Sequence, residues 1–162
     1  MPRMSAGVLL YRLRGNLVEV LLAHPGGPYW ARKDEGAWSI PKGEYTEDED
    51  AWLAAQREFT EELGLPVPDG PRIDLGAVKQ SGGKVVTAFA VRADLDITDA
   101  RSNTFELEWP KGSGKMRQFP EVDRVDWFAV PQARVKLLPG QRLFLDRLLA
   151  HVPDSGSGPS AP

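Results

Sequence analysis

The stretch GEYTEDEDAWLAAQREFTEELGL, Gly43 to Leu65, decides how the chain is read. It carries the signs of one helix. Thr46, followed three residues later by Glu49, predicts a capping box, in which each side chain satisfies an orphan backbone N–H of the first turn. Glu47, Asp48 and Asp50 then fall where the helix dipole favours negative charge. Trp52, Ala55, Phe59 and Leu63 recur at spacings of three and four, an apolar stripe for a core. Gly64 stops the helix, with Pro66 just beyond.

Glu58, Glu61 and Glu62 crowd this helix beside Arg57. At about 100° per residue the three carboxylates span an arc of roughly 100°, next to the apolar stripe rather than opposite it. Two carboxylates about 6 Å apart repel by roughly 2–3 kcal/mol at an effective dielectric of about 20. In open solvent the repulsion is small and screened by salt. Two readings follow: a solvated acidic face, or a face that holds something positive.

Working outward, the 162 residues suffice for one domain with a sizeable core. With 41% hydrophobic and 27% charged residues, the chain is globular rather than disordered. A net charge of -3 gives no overall basic field for gripping a nucleic acid. The absence of cysteine excludes disulfides, thiolate metal sites and a cysteine nucleophile. Two histidines, His24 and His151, are too few for a histidine-rich metal centre. A metal here would be held by oxygen, which selects magnesium, manganese or calcium. An EF-hand loop is not present, so calcium buffering fits poorly. No segment approaches the ~18 apolar residues of a membrane span, and AGVLLY is too short for a secretory leader. The expectation is a cytoplasmic protein without membrane or nucleic acid partners.

Residues 4–12 and 17–24 read as strands joined at Gly15–Asn16, and WSIPKGEY as a short strand ending in a turn at Pro41–Gly43. IDLGAVKQ and KVVTAFAVRA form a hairpin pattern around SGG; NTFELEW and RVDWFAV are further strands, separated by the loop PKGSGKMRQFPE. Gln141 to His151 is a closing amphipathic helix that buries Leu143, Leu145, Leu148 and Leu149. The sum is a single α+β domain over 1–152, with 153–162 a disordered tail rich in Pro, Ser and Gly.

The full spacing is more specific than any single element. It runs Gly43, five residues, Glu49, seven residues, Arg57-Glu58, apolar Phe59, one residue, Glu61-Glu62, one residue, Gly64, apolar Leu65. This resembles the Nudix box, with every fixed position filled. Seven positions demand one residue type; at about one in fifteen each, chance gives roughly one in 10⁸ per start position. The resemblance implies a Nudix fold, a mixed β-sheet sandwiched between α-helices (α/β/α). It also implies a hydrolase of nucleoside diphosphates linked to a group X, dependent on Mg²⁺ or Mn²⁺.

By position, the metal set resembles Gly43 through its carbonyl with Glu58, Glu61 and Glu62. The catalytic set is Glu61, Glu58, Arg57 and Glu121, with the identity of the general base open among the glutamates. Arg57 and Glu49 resemble a structural pair that fixes carboxylate rotamers. Glu121, in FPEVDRVDWF, is the candidate acid from a later loop. Substrate-binding candidates are Lys42, Lys33, Lys84 and Arg117 for phosphates and Trp30 for stacking on a base. Trp38 is read as core. The entrance AWSIPKGEYTEDED, with its Pro-Lys-Gly triplet, resembles dinucleoside polyphosphate hydrolases, and a (di)nucleoside polyphosphate is the leading substrate. Nucleoside triphosphates and nucleotide sugars are the alternatives within the enzyme class. A non-catalytic nucleotide-sensing module is the alternative outside it.

Overall fold

A computed structural model describes residues 3–153. The centre is β1 (Arg3–Arg14), a strand buried from Ser5 to Tyr11. Its residues alternate between two cores: Ala6, Val8 and Leu10 face one side, Leu9 and Tyr11 the other. A strand covered on both faces needs apolar residues at nearly every position, as in MSAGVLLY.

One edge of β1 pairs in parallel with β5 (Lys84–Arg92), which pairs in turn with antiparallel β4 (Arg72–Lys79). The other edge is shared. Its far half, Tyr11 to Arg14, pairs with β2 (Leu17–Pro25) across a tight turn in which Gly15 adopts φ 60°. Its near half, Ser5 to Gly7, pairs with β3 (Lys42–Glu44). β2 continues the sheet to β8 (Val122–Ala129). β2 and β3 thus take different halves of this edge, and the 39–41 segment that leads into β3 bonds to β2 through Ala23 and Ser39 at 2.8 and 2.9 Å and runs close against Gly7. Gly7 permits this close approach, since a Cβ there would meet the Pro41 carbonyl oxygen at 2.6 Å.

The helix α1 (Ala51–Leu63) covers one face, packing Ala54, Ala55, Phe59 and Leu63 on Ala6, Val8, Leu10 and Phe89. The helices α2 (Val130–Lys136) and α3 (Arg142–His151) cover the other, where Ala133, Phe144, Leu145 and Leu148 join Leu9, Val20, Leu22 and Trp38. The expected α/β/α sandwich is present. A separate two-stranded arm, β6 (Thr104–Glu108) and β7 (Met116–Pro120), pairs only with itself.

Several expectations need correction. The helix starts later than Thr46: Asp50 is the N-cap, its carboxylate accepting from the Leu53 amide at 3.1 Å. Glu49 cannot reach back to Thr46 because Arg57 holds both its oxygens at 2.9 Å. The acids at 47 and 48 therefore precede the helix. Lys42–Glu44 is a strand rather than a turn, and the supposed loop PKGSGKMRQFPE contains β7. In α3, Leu143 faces solvent and Phe144 takes the core position. The region from residue 154 on lies outside the described residues, so the expected tail does too.

The cap assignment has a direct consequence. Asp50→Ala lowers stability by about 0.5–2 kcal/mol in urea unfolding, whereas Thr46→Ala leaves it within about 0.5 kcal/mol. Equal losses at the two positions would restore the capping-box start.

Candidate functional site

Four elements bring their polar residues to the near end of β1. From β1 itself come Arg3 and Ser5; from β3, Lys42, Gly43 and Glu44; from α1, Glu58, Glu61 and Glu62; from the start of β5, Lys84. Glu121, in the link between β7 and β8, closes the ring. Together they line an open cavity of about 420 Å³. Register explains the assembly: Gly43 stands opposite Ala6 and Lys84 opposite Arg3.

Gly43 is required by space. A Cβ there would lie 1.9 Å from Glu58 Oε2, so the carboxylate occupies the volume a side chain would take. Glu58 is buried, and its Oε1 accepts from Arg57 Nη1 at 2.7 Å. The same guanidinium grips Glu49 with two bonds and touches Glu61 at 3.4 Å. Arg57 and Glu49 thus form a brace behind the cavity, with the carboxylate rotamers fixed by a planar fork. Glu62 Oε1 accepts from the Lys42 amide at 3.3 Å.

Burial sets the protonation of the cluster. Desolvation pushes the Glu62 carboxyl up to about 8, against the pull of Lys42. It raises Glu58, with Arg57 opposing, and raises Glu121, with the Glu61 charge adding to the effect. Desolvation lowers Lys42, which Glu62 partly counters. The brace is different: its hydrogen bonds to Arg57 hold Glu49 below the usual carboxylate range.

A second cavity of about 230 Å³ adjoins the first and shares Lys42, Glu62, Lys84 and Glu121 with it. Its other walls are Ala23, Pro25, Trp30, Ala37, Ser39, Val122 and Leu138. The Ala23–Ser39 bridge between β2 and the segment leading into β3 forms part of its lining. The 25–37 segment forming its rim is stapled from below by buried His24, whose Nε2 is 2.6 Å from the Lys33 carbonyl oxygen and whose Nδ1 is 2.7 Å from Asp123 Oδ1. A larger hollow, about 600 Å³, lies at the far end of β1 around Arg12, Arg14, Asp94 and Trp127. Its most buried cation, Arg12, is already bound to Glu19 and Asp94, and no carboxylate cluster converges there.

Seven of the residues singled out from sequence therefore share one cavity: Lys42, Gly43, Glu58, Glu61, Glu62, Lys84 and Glu121. Arg57 stands behind it, and Trp30 lines the adjoining chamber. Two do not join them. Lys33 lies 5.0 Å from the Trp30 ring and lines neither cavity, because His24 binds its carbonyl and its side chain turns outward. Arg117 sits on the arm over Phe119, also away from both. Trp38 is core, 3% exposed. Ser5, Arg3 and Glu44 were not anticipated. Ser5 had left a signal, a lone polar residue inside the apolar run of β1, and it is buried.

The donor set suits a hard divalent cation: carboxylates and a backbone carbonyl, with no sulfur or imidazole in the cavity. Among the described residues, no three acids yet converge closely enough to hold an ion. Glu58 is bonded to Arg57, and Glu62 to the Lys42 amide. Among the described residues, no helix is long and apolar enough to cross a membrane.

Solved structures with this fold include a C. elegans Ap4A hydrolase in a binary complex, at 18% identity and TM-score 0.61, with 91% of this chain and 96% of that chain covered. The NUDIX domain of Shewanella oneidensis NrtR complexed with ADP ribose aligns at 14% identity and TM-score 0.64, covering 93% and 88%. The Nudix hydrolase RenU from M. smegmatis aligns at 23% identity and TM-score 0.57, covering 94% and 88%. No curated protein matches the sequence. The NUDIX domain model matches residues 1–149, nearly the whole chain. The chain therefore belongs to the Nudix family.

Proposed function

We propose that the protein is a divalent-metal-dependent hydrolase of a nucleoside diphosphate linked to X, with a (di)nucleoside polyphosphate the leading substrate. The observation that carries this reading is one cavity lined by five glutamates and two lysines, adjoining a chamber walled by Trp30. Glu58, Glu62 and the Gly43 carbonyl would hold Mg²⁺ or Mn²⁺, with Glu61 and Glu121 beside them. The ion, when bound, neutralises phosphate charge and makes water more acidic. Lys42 and Lys84 supply the positive charge that the phosphate chain meets between cavity and chamber. Trp30 offers an aromatic face to a base.

The reaction breaks one P–O bond of the anhydride and forms a new P–O bond from water. The water proton goes to a glutamate. Glu61 takes that role in our reading, because Arg57 and the Lys42 amide already engage Glu58 and Glu62, while the contacts of Glu61 to Arg57 are long at 3.4 Å. Positioning and charge stabilisation do most of the work in such transfers. The likeness to an Ap4A hydrolase agrees with the leading substrate; the NrtR domain bound to ADP ribose keeps a nucleotide-sensing role as the competing one.

A hydrolysis screen with Mg²⁺ or Mn²⁺ separates them. Its panel holds diadenosine polyphosphates, nucleoside triphosphates, ADP-ribose, NADH and nucleotide sugars. Selective turnover, reduced at least about 10²-fold in Glu62→Gln, is the expected outcome. Tight nucleotide binding without turnover of any panel member would leave the sensing role.

Gly43→Ala places a methyl group in the space of the Glu58 carboxylate. Divalent affinity, measured calorimetrically, should fall about 10–100-fold with the fold retained. Unchanged affinity would remove Glu58 from the ligand set.

The raised carboxyl of Glu62 gives a pH signature. Between its ordinary value of 4.5 and about 8, the folded protein keeps a proton that the unfolded chain releases. The metal-free protein should therefore lose stability as pH rises through that window. Metal binding must expel the same proton, so apparent affinity rises by up to about tenfold per pH unit there. Thermal unfolding with EDTA and with Mg²⁺ across pH 5–9 should diverge as pH increases. Parallel curves would contradict the assignment.

A further inference from the structure

The β6–β7 arm has no partner strand in the main sheet, yet both of its feet stand in the site. At the first foot, the Asn103 amide donates to the Glu61 carbonyl at 2.8 Å. At the second, the Glu121 amide donates to the Asn103 carbonyl at 2.8 Å, and the Glu121 carbonyl accepts from the Gly26 amide at 2.9 Å. Glu121 then turns its carboxylate into both cavities.

The arm also leans on the segment that carries Trp30. A Cβ on Gly27 would come within 2.9 Å of Phe105 Cζ, and one on Gly26 within 2.0 Å of the Pro120 carbonyl oxygen. These glycines let the segment lie flat against the arm. Further out, Trp109 meets Tyr29 edge to face, with ring centres 5.5 Å apart at 80°. Tyr29 is the immediate neighbour of Trp30, in a turn closed by the Trp30 amide and the Gly27 carbonyl at 3.3 Å. The arm's tip is itself fixed: the Glu108 carboxylate accepts from the amides of Gly112 and Gly114 at 3.0 and 3.1 Å.

We infer that Trp109 is a positioning residue for substrate selection: through Tyr29 it sets Trp30 in the chamber wall, where a planar aromatic group of the substrate stacks. The arm thereby couples two walls of one chamber, Trp30 through the Tyr29 contact and Glu121 through its foot. Loss of the Trp109 ring releases the first wall and leaves the carboxylate cavity as it was. The inference rests on the reading of the chamber as the nucleoside's place. Stacking on an aromatic ring is worth about 1–3 kcal/mol per base, roughly five- to a hundredfold in affinity.

The test compares ligands that share a diphosphate and differ by a nucleoside. Affinities for ADP, GDP and inorganic pyrophosphate are measured calorimetrically at saturating Mg²⁺ for the wild type, Trp109→Ala, Trp109→Phe and Tyr29→Ala. The wild type should prefer at least one nucleoside diphosphate over pyrophosphate. Trp109→Ala and Tyr29→Ala should erase that preference while pyrophosphate affinity stays within about twofold, and Trp109→Phe should retain most of it. A preference that survives both alanine variants overturns the inference, as does an equal weakening of pyrophosphate, or a wild type with no preference. Phosphate release lost in Glu62→Gln reports on the hydrolase reading separately, so either can fail without the other.

Discussion

Glu61 and Glu62 sit in the last turn of α1, where the helix dipole already concentrates negative charge. Glu58 is one turn earlier, buried against Gly43. Carboxylates placed this way repel one another, lose solvation and oppose the helix dipole. No arrangement of the helix alone relieves this, because the apolar stripe of Ala55, Phe59 and Leu63 fixes which way the acidic arc must face. The surrounding residues answer with positive charge at every side the fold allows: Arg57 from behind, Lys42 from β3 and Lys84 from β5. The remaining demand is met by protons, as the raised Glu62, Glu58 and Glu121 show, or by a cation. The site thus gathers more carboxylates than facing cations, and the proposed metal role rests on that property.

The sheet supplies the second feature, the chamber beside the carboxylate cavity. β2 takes one half of the β1 edge and β3 the other. The segment entering β3 is tied back to β2 through Ala23 and Ser39, and that pair lines the Trp30 chamber, with Lys42 and Lys84 bordering both the chamber and the carboxylate cavity. His24 and Asp123 hold the rim from within the protein, which keeps a Gly- and Pro-rich segment in one place without using any group of the cavity.

How much of this was legible in the sequence depends on the range of the interactions involved. The α1 stripe and its Gly64 stop are local, and both are where periodicity puts them. The carboxylate spacing is also local, and it carried the family. The helix start was misread because Thr46 and Glu49 satisfy a local pattern that a residue eight positions away, Arg57, overrides by binding Glu49. β7 looked like a loop because its exposed residues need no apolar alternation; it is held by β6 alone. Lys84 and Arg117 were equal as isolated cations. Only the parallel register of β5 with β1, which no local pattern encodes, brings Lys84 to Arg3 and the cavity, while β7 carries Arg117 away.

The placement of Glu121 shows how a distant acid is recruited. The end of α1 leaves carbonyl groups without intrahelical donors. Gly64, in a left-handed conformation, turns its amide back to the Thr60 carbonyl at 2.7 Å. The Leu63 and Glu61 carbonyls are instead taken by the amides of Arg101 and Asn103, at 2.7 and 2.8 Å. Satisfying the helix end therefore docks the 101–103 segment against the last turn of α1. Asn103 in turn receives the Glu121 amide, so the two feet of the arm are tied together at that point. The same hydrogen bonds that finish the helix thus deliver a fourth carboxylate to its acidic face.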